Sequence, residues 1–191
     1  MKKHSLAIAF SIAALSCLTA CSSDLIIAEI LQVEEQATIR TAYNLWYEDP
    51  MDMDTVNVQK GKIIPFGTAI EIMKATESEI LFVTPADKKQ FRLKIEKEYR
   101  LQSPEEYLRE LLTTRTAEQL GNGLDPVSFE KAKRGIIEKG MTKQAVLLAY
   151  GPPCAFRTPD LAFSTWLYPV GYLEYKRVIF NNNVVQAIIH P

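Results

Sequence analysis

Phe91, Leu93 and Ile95 alternate with Arg92 and Lys94, the period-two pattern of a strand with one apolar and one basic face. Short β-rich runs of the same kind occupy residues 38–46, 55–58, 69–73 and 80–84, and residues 90–95 close the series. Turn chemistry separates them, at Glu48-Asp49-Pro50, Gly61-Lys62, Pro65-Phe66-Gly67-Thr68 and Pro85-Ala86-Asp87. The pattern predicts a small antiparallel β domain over residues 37–101.

The period then changes. Ser103-Pro104-Glu105-Glu106 stacks an N-cap serine, a proline at the first helical position and a capping-box glutamate. Tyr107, Leu108, Leu111 and Leu112 follow at helical spacing, which predicts a helical connector over residues 102–124 ending at Gly121-Asn122-Gly123. Asp125-Pro126 starts another helix. Thr142 caps the next, whose apolar positions include Ala145, Val146 and Ala149 and which Gly151-Pro152-Pro153 stops. Strands are predicted at residues 164–168, 172–180 and 184–189, the last two joined through Asn181-Asn182-Asn183, because asparagine tolerates left-handed backbone. The expected fold class is α+β: the small antiparallel β domain, then a two-helix, three-stranded antiparallel unit over residues 125–191.

The beginning of the chain has a different texture. Lys2 and Lys3 precede an apolar run at residues 6–15 in which Ser11 is the polar exception. That run is shorter than the roughly 20 residues a membrane-spanning helix needs. It ends in Leu18-Thr19-Ala20-Cys21, which resembles the lipobox of bacterial lipoproteins. The resemblance implies that residues 1–20 are a signal peptide and that Cys21 is lipidated as the first residue of the mature chain. The alternative is ordinary secretory cleavage that leaves an unmodified cysteine. Ser22 and Ser23 stand where an aspartate would mark inner-membrane retention in the enterobacterial sorting rule, so the resemblance points to the outer membrane. Residues 21–36 are expected to be a tether, yet Leu25, Ile26, Ile27, Ile30 and Leu31 are too apolar for a solvated linker, and part of it should dock on the body.

Charge and chemistry narrow the function. The chain has 22 basic and 23 acidic residues; without Lys2 and Lys3 it has 20 against 23, which offers no nucleic-acid surface. Of three cysteines, Cys17 leaves with the signal and Cys21 carries lipid. Cys154 therefore has no intramolecular partner, and is either a buried inert thiol or one that pairs with another protein. His190 is the one histidine beyond the signal. A Cys154–His190 nucleophile and base is disfavoured because Cys154 follows a double proline instead of opening a helix. No His/Cys cluster suggests a metal, and Glu105, Glu106 and Glu110 read as capping and solvation. A binding protein without cofactor is expected, not an enzyme.

Two resemblances refine that expectation. Residues 137–146, Gly151-Pro152-Pro153, Trp166-Leu167-Tyr168 and residues 178–185 are together similar to the SmpA/OmlA domain of the BamE family of outer-membrane assembly lipoproteins. The resemblance implies a compact two-helix, three-strand domain that binds envelope components. The chain departs from that family in the long region before the domain, residues 21–124, and in the loop that carries Cys154. Residues 64–72 resemble the turn-and-strand texture of bacterial SH3-like modules, a texture other small β folds share. Tyr43, Trp46 and Tyr47 are either an aromatic ligand ledge of such a module or half-buried sheet face. The expectation is a lipid-anchored, periplasm-facing interaction or scaffold protein of the outer membrane. It would act in envelope or outer-membrane protein assembly, with envelope proteins such as the β-barrel assembly complex as partners. The alternative is a peptidoglycan- or ligand-binding lipoprotein that uses the N-terminal β domain.

Overall fold

Side-chain caps fix where the chain turns helical in this computed structural model, which describes residues 24–96 and 101–191. In chain order, α1 (Ile27–Leu31) precedes β1 (Arg40–Thr41), β2 (Leu45–Tyr47), β3 (Met53–Asp54), β4 (Lys62–Ile64), β5 (Glu71–Ala75), β6 (Glu79–Thr84) and β7 (Lys89–Lys94). Then come α2 (Pro104–Leu111), β8 (Leu112–Thr113), α3 (Ala117–Leu120), α4 (Pro126–Lys133) and α5 (Lys143–Tyr150), followed by β9 (Thr165–Gly171), β10 (Glu174–Asn181) and β11 (Val184–Ile189). The fold is mixed α+β, with several antiparallel sheets and five helices among the described residues. Ser103, Asp125 and Thr142 each accept backbone N–H bonds at the starts of α2, α4 and α5, and Ser103 and Glu106 complete a reciprocal capping box.

One apolar core is built on the sheet of order β3-β7-β6-β5. The alternation expected at residues 91–95 buries Phe91, Leu93 and Ile95, and Phe91 stacks on Phe82 with ring centroids 5.2 Å apart. Tyr107, Leu108 and Leu111 of α2 enter the same core, as do Ile27 and Ile30 of α1. The apolar residues Ile27 and Ile30 thus dock on the body, and Arg109 Nε donates to Ile30 O at 3.0 Å to hold α1 on α2. A second core lies between the sheet of order β11-β10-β9 and the helices α4 and α5. Trp166, Tyr168, Val178, Phe180 and Val185 line it from the sheet, and Ala145, Val146 and Ala149 from α5. Asn182 and Asn183 close the β10–β11 hairpin with φ of 49° and 62°, the left-handed pair a two-residue turn demands.

Several local expectations are corrected. The run at residues 38–46 splits into β1 and β2 because Asn44 N donates to Leu148 O at 2.9 Å, drawing the chain toward α5 instead of a neighbouring strand. Residues 55–58 are not a strand: Asn57 has φ of 52°, and its side chain holds three backbone groups. Lys62, expected within a turn, instead opens β4, which pairs antiparallel with β2. The N-terminal sheet is also not wholly antiparallel, since β3 runs parallel to β7 over two residues.

Candidate functional site

The two cores meet along a polar seam made by two asparagines. Asn44 is fully buried; its Nδ2 donates to Ala132 O of α4 at 2.7 Å and to Ala149 O of α5 at 3.1 Å, while its Oδ1 accepts from Phe66 N at 2.9 Å. Asn57 Nδ2 donates to Asn44 O and Tyr150 O, each at 3.0 Å, and its Oδ1 accepts from Trp46 N at 2.8 Å. Buried amides with this many partners are fixed in place, because each bond lost would leave a desolvated group. Apolar contacts reinforce the seam. The turn at residues 65–68 sends Phe66 into the second core, where it meets Phe129 edge-on at 5.5 Å.

Beside this seam lies a cleft of about 410 Å³. Its walls come from three stretches of chain, residues 42–57, 102–120 and 144–161. Tyr43, Val56, Leu147, Leu148, Pro152 and Pro153 give it an apolar floor. Gln102, Glu110, Arg115, Gln144 and Thr158 add polar groups. Gln144 Nε2 donates to Leu120 O at 2.8 Å and to Asn122 O at 3.1 Å, Gln102 Nε2 donates to Glu110 Oε1, and Thr158 Oγ1 accepts from Leu167 N at 3.0 Å. Thr55 also lines the cleft, and its buried hydroxyl has no hydrogen-bond partner among the described residues. Gly151, with φ of 79°, shapes the end of α5: a Cβ there would meet the Tyr43 ring at 2.7 Å.

The residues singled out from sequence fall apart in space. Cys21 lies outside the described residues. Cys154 is a free, partly exposed thiol in the cleft wall, whereas His190 is exposed and does not line the cleft. Tyr43, Trp46 and Tyr47 do not make a ledge. Tyr43 is buried; Trp46 Nε1 donates to Ala149 O at 3.2 Å; Tyr47 packs edge-on to Phe91 at 5.2 Å and accepts from Lys89 Nζ at 2.9 Å. Glu106 caps α2, and Glu110 accepts from Gln102. No group of three or more metal-ligating side chains occurs among the described residues, and no helix there is long and apolar enough to cross a membrane.

Electrostatic perturbation is concentrated away from the cleft. Burial, with a smaller contribution from Tyr150, pushes the Tyr168 phenol well above its usual value, and its hydroxyl donates to Gly151 O at 3.0 Å. The hydrogen bonds from Ser128 hold the Asp125 carboxyl below its ordinary value, as suits an N-cap. Sequence reasoning missed Asn44, Asn57, Gln102, Gln144 and Arg115 as parts of a site, and no spacing could have linked residues so far apart in the chain. No family model, curated protein or solved structure matches this chain.

Proposed function

We propose that this chain is a lipid-anchored, periplasm-facing interaction protein of the outer membrane that acts in envelope or outer-membrane protein assembly. The observation that carries the reading is the lipobox-like Leu18-Thr19-Ala20-Cys21; the SmpA/OmlA resemblance of residues 137–185 supports it, and α4 and α5 packed on the β11-β10-β9 sheet are compatible with it. The resembling positions have structural work to do in that unit. Met141 is buried, Thr142 caps α5, Gly151 ends it in a backbone conformation that favours glycine, and Trp166 and Tyr168 fill the space under the sheet. With these positions used for folding, recognition falls to surfaces and to the cleft between the cores. The N-terminal β region acts as a partner in that scaffold, its aromatic residues Tyr43, Trp46 and Tyr47 being engaged in packing.

Tethering would itself contribute to the mechanism, because acyl chains confine the body to one membrane and raise its effective concentration for weak partners. The test is palmitate labelling and detergent co-purification of the wild type beside Cys21→Ser. Label on the wild type alone, with barrel-assembly proteins recovered, is the expected result. An unlabelled wild type would refute the anchor, and sedimentation with purified sacculi in place of protein partners would favour the wall-binding alternative.

A further inference from the structure

We infer that the cleft between the two cores binds an extended segment of another protein, which inserts one large apolar side chain against Leu147 and Leu148. The inference rests on the interaction reading above and names the kind of partner that reading lacks. The space is about 410 Å³, within the roughly 300–1,000 Å³ range of ligand pockets. Its floor carries no charge: Val56, Leu147, Leu148, Pro152 and Pro153 offer carbon to whatever enters. An apolar anchor seated in a pocket of this kind supplies most of the energy of many protein contacts.

The polar groups choose between a peptide and a lipid-like ligand. Glu110 and Arg115 balance each other, so the lining attracts no net charge. Gln144 spends its amide hydrogens on Leu120 O and Asn122 O and keeps its amide oxygen to accept, while Gln102 keeps an amide hydrogen and its oxygen beside the bond to Glu110, so the lining can still donate and accept. A neutral peptide backbone presents the same two functions in return, whereas an acyl chain presents neither. The surroundings agree with a protein ligand. The chain that forms one wall at Pro152-Pro153 continues into a loop where Phe156 and Phe163 are 63% and 49% exposed, and Leu161, 43% exposed, reaches the cleft itself. Exposed aromatic and leucine side chains beside a pocket are typical of interface cores. The walls are also preformed, since Asn44 and Asn57 join residues 42–57 to 144–161 and Ala42 N donates to Leu111 O at 2.8 Å, and a preformed site avoids ordering costs on binding.

Cys154 in the wall supplies the probe. The full chain with Cys17→Ser and Cys21→Ser leaves it as the one thiol, however the leader is processed. It is equilibrated, in rising β-mercaptoethanol, with the symmetric disulfides of acetyl-Cys-Phe-amide, acetyl-Cys-Ser-amide and hexanethiol. In each exchange the Cys154 thiolate attacks one probe sulfur, a mixed disulfide forms, and one probe thiol leaves. Mass spectrometry reads the adduct. The phenylalanine probe should survive about tenfold more reductant than the serine probe or the alkyl probe, the factor expected of one modest anchor contact. That preference should vanish in Leu147→Trp, which fills the cleft, and shrink in Gln144→Ala, an exposed position that decides the matter if the first variant does not fold. Equal retention of all three probes overturns the inference, and so does strongest retention of hexanethiol, which would mark an acyl site. Neither result touches the palmitate and co-purification outcomes, and failure of those leaves this exchange readable.

Discussion

Replacing Asn44 with alanine should destabilise the whole chain, and the structure says by how much. The three bonds of its side chain are not equivalent. Ala132 O also accepts from Gly135 N at 2.9 Å, and Ala149 O also accepts from Trp46 Nε1 at 3.2 Å, so both carbonyls stay paired in Asn44→Ala. Phe66 N–H is different: its acceptor is Asn44 Oδ1, and Phe66 is buried. One orphaned buried donor costs about 1–3 kcal/mol, and two lost bonds to carbonyls that keep another partner cost about 0.5–1 kcal/mol each. The expected loss is therefore about 3 kcal/mol. With a urea m-value of about 2 kcal/mol/M, this lowers the unfolding midpoint by about 1.5 M. Trp46 at the seam and Trp166 in the second core report by fluorescence, and far-UV circular dichroism reports on both units.

The aspartate variant sharpens the test. Asn44→Asp keeps an acceptor for Phe66 N but sets a second oxygen against the carbonyls of Ala132 and Ala149 in a buried place. Burial raises such a carboxyl above its unfolded value, so the folded state holds its proton longer. The variant should then be weakest at neutral pH and regain stability as pH falls through that raised value. A midpoint shift under about 0.5 M for Asn44→Ala would refute the reasoning. So would an aspartate variant as stable as wild type at pH 7.

Three further outcomes follow from the geometry. Gly151→Ala forces a Cβ to 2.7 Å from the Tyr43 ring at φ of 79°, and should cost about 2–4 kcal/mol in urea unfolding, where a mere loss of chain flexibility would stabilise. Thr142→Ala removes the hydroxyl that accepts from Ala145 N at 3.2 Å and should lower stability by about 1 kcal/mol, an effect Thr142→Ser restores. Tyr168 is an acid whose folded value is raised, so its contribution is complete below the ordinary value of 10.0 and is lost as pH rises above it. Wild type should therefore lose stability above pH 10 faster than Tyr168→Phe. At neutral pH the same variant should be weaker by about 1–2 kcal/mol for the bond lost to Gly151 O. Parallel pH profiles for the two proteins would contradict the burial argument.

The helix starts at Ser103, Asp125 and Thr142 and the turn at Asn182 and Asn183 were legible because capping and left-handed turns depend on residues a few positions apart. Alternation at residues 91–95 was legible for the same reason. The C-terminal sheet joins consecutive strands, so reading along the chain recovered it. The N-terminal region obeys longer-range rules. Arg40 and Thr41 pair with Thr113 and Leu112, Met53 pairs with Leu93, and Asn57 leaves the strand conformation to hold Tyr150 O. Nothing near residues 55–58 announces a partner so far along the chain, and β propensity there is overridden by a buried amide with three bonds to make. The cleft was illegible on the same grounds, since its walls come from three stretches and its floor from residues that read as ordinary core. Cys154 was read as a buried inert thiol, one that pairs with another protein or a disfavoured nucleophile, and none of these readings places its partly exposed side chain in the cleft wall.

Stability and recognition are joined at the seam. The groups that hold the two cores together, Asn44 and Asn57, bond to α5 at Leu148, Ala149 and Tyr150, and the same helix lends Leu147 and Leu148 to the cleft floor. A shift of α5 relative to the N-terminal sheet would therefore reshape the cleft before it exposed either core. Buried polar bonds suit this role better than apolar contacts alone, because they fix register: a slide of one residue along α5 would strand several amides at once. An apolar seam tolerates repacking and would leave the floor of the cleft less defined. The asparagines thus account for two features together, the joining of cores that local sequence treats as separate, and a recess between them rigid enough to select what enters.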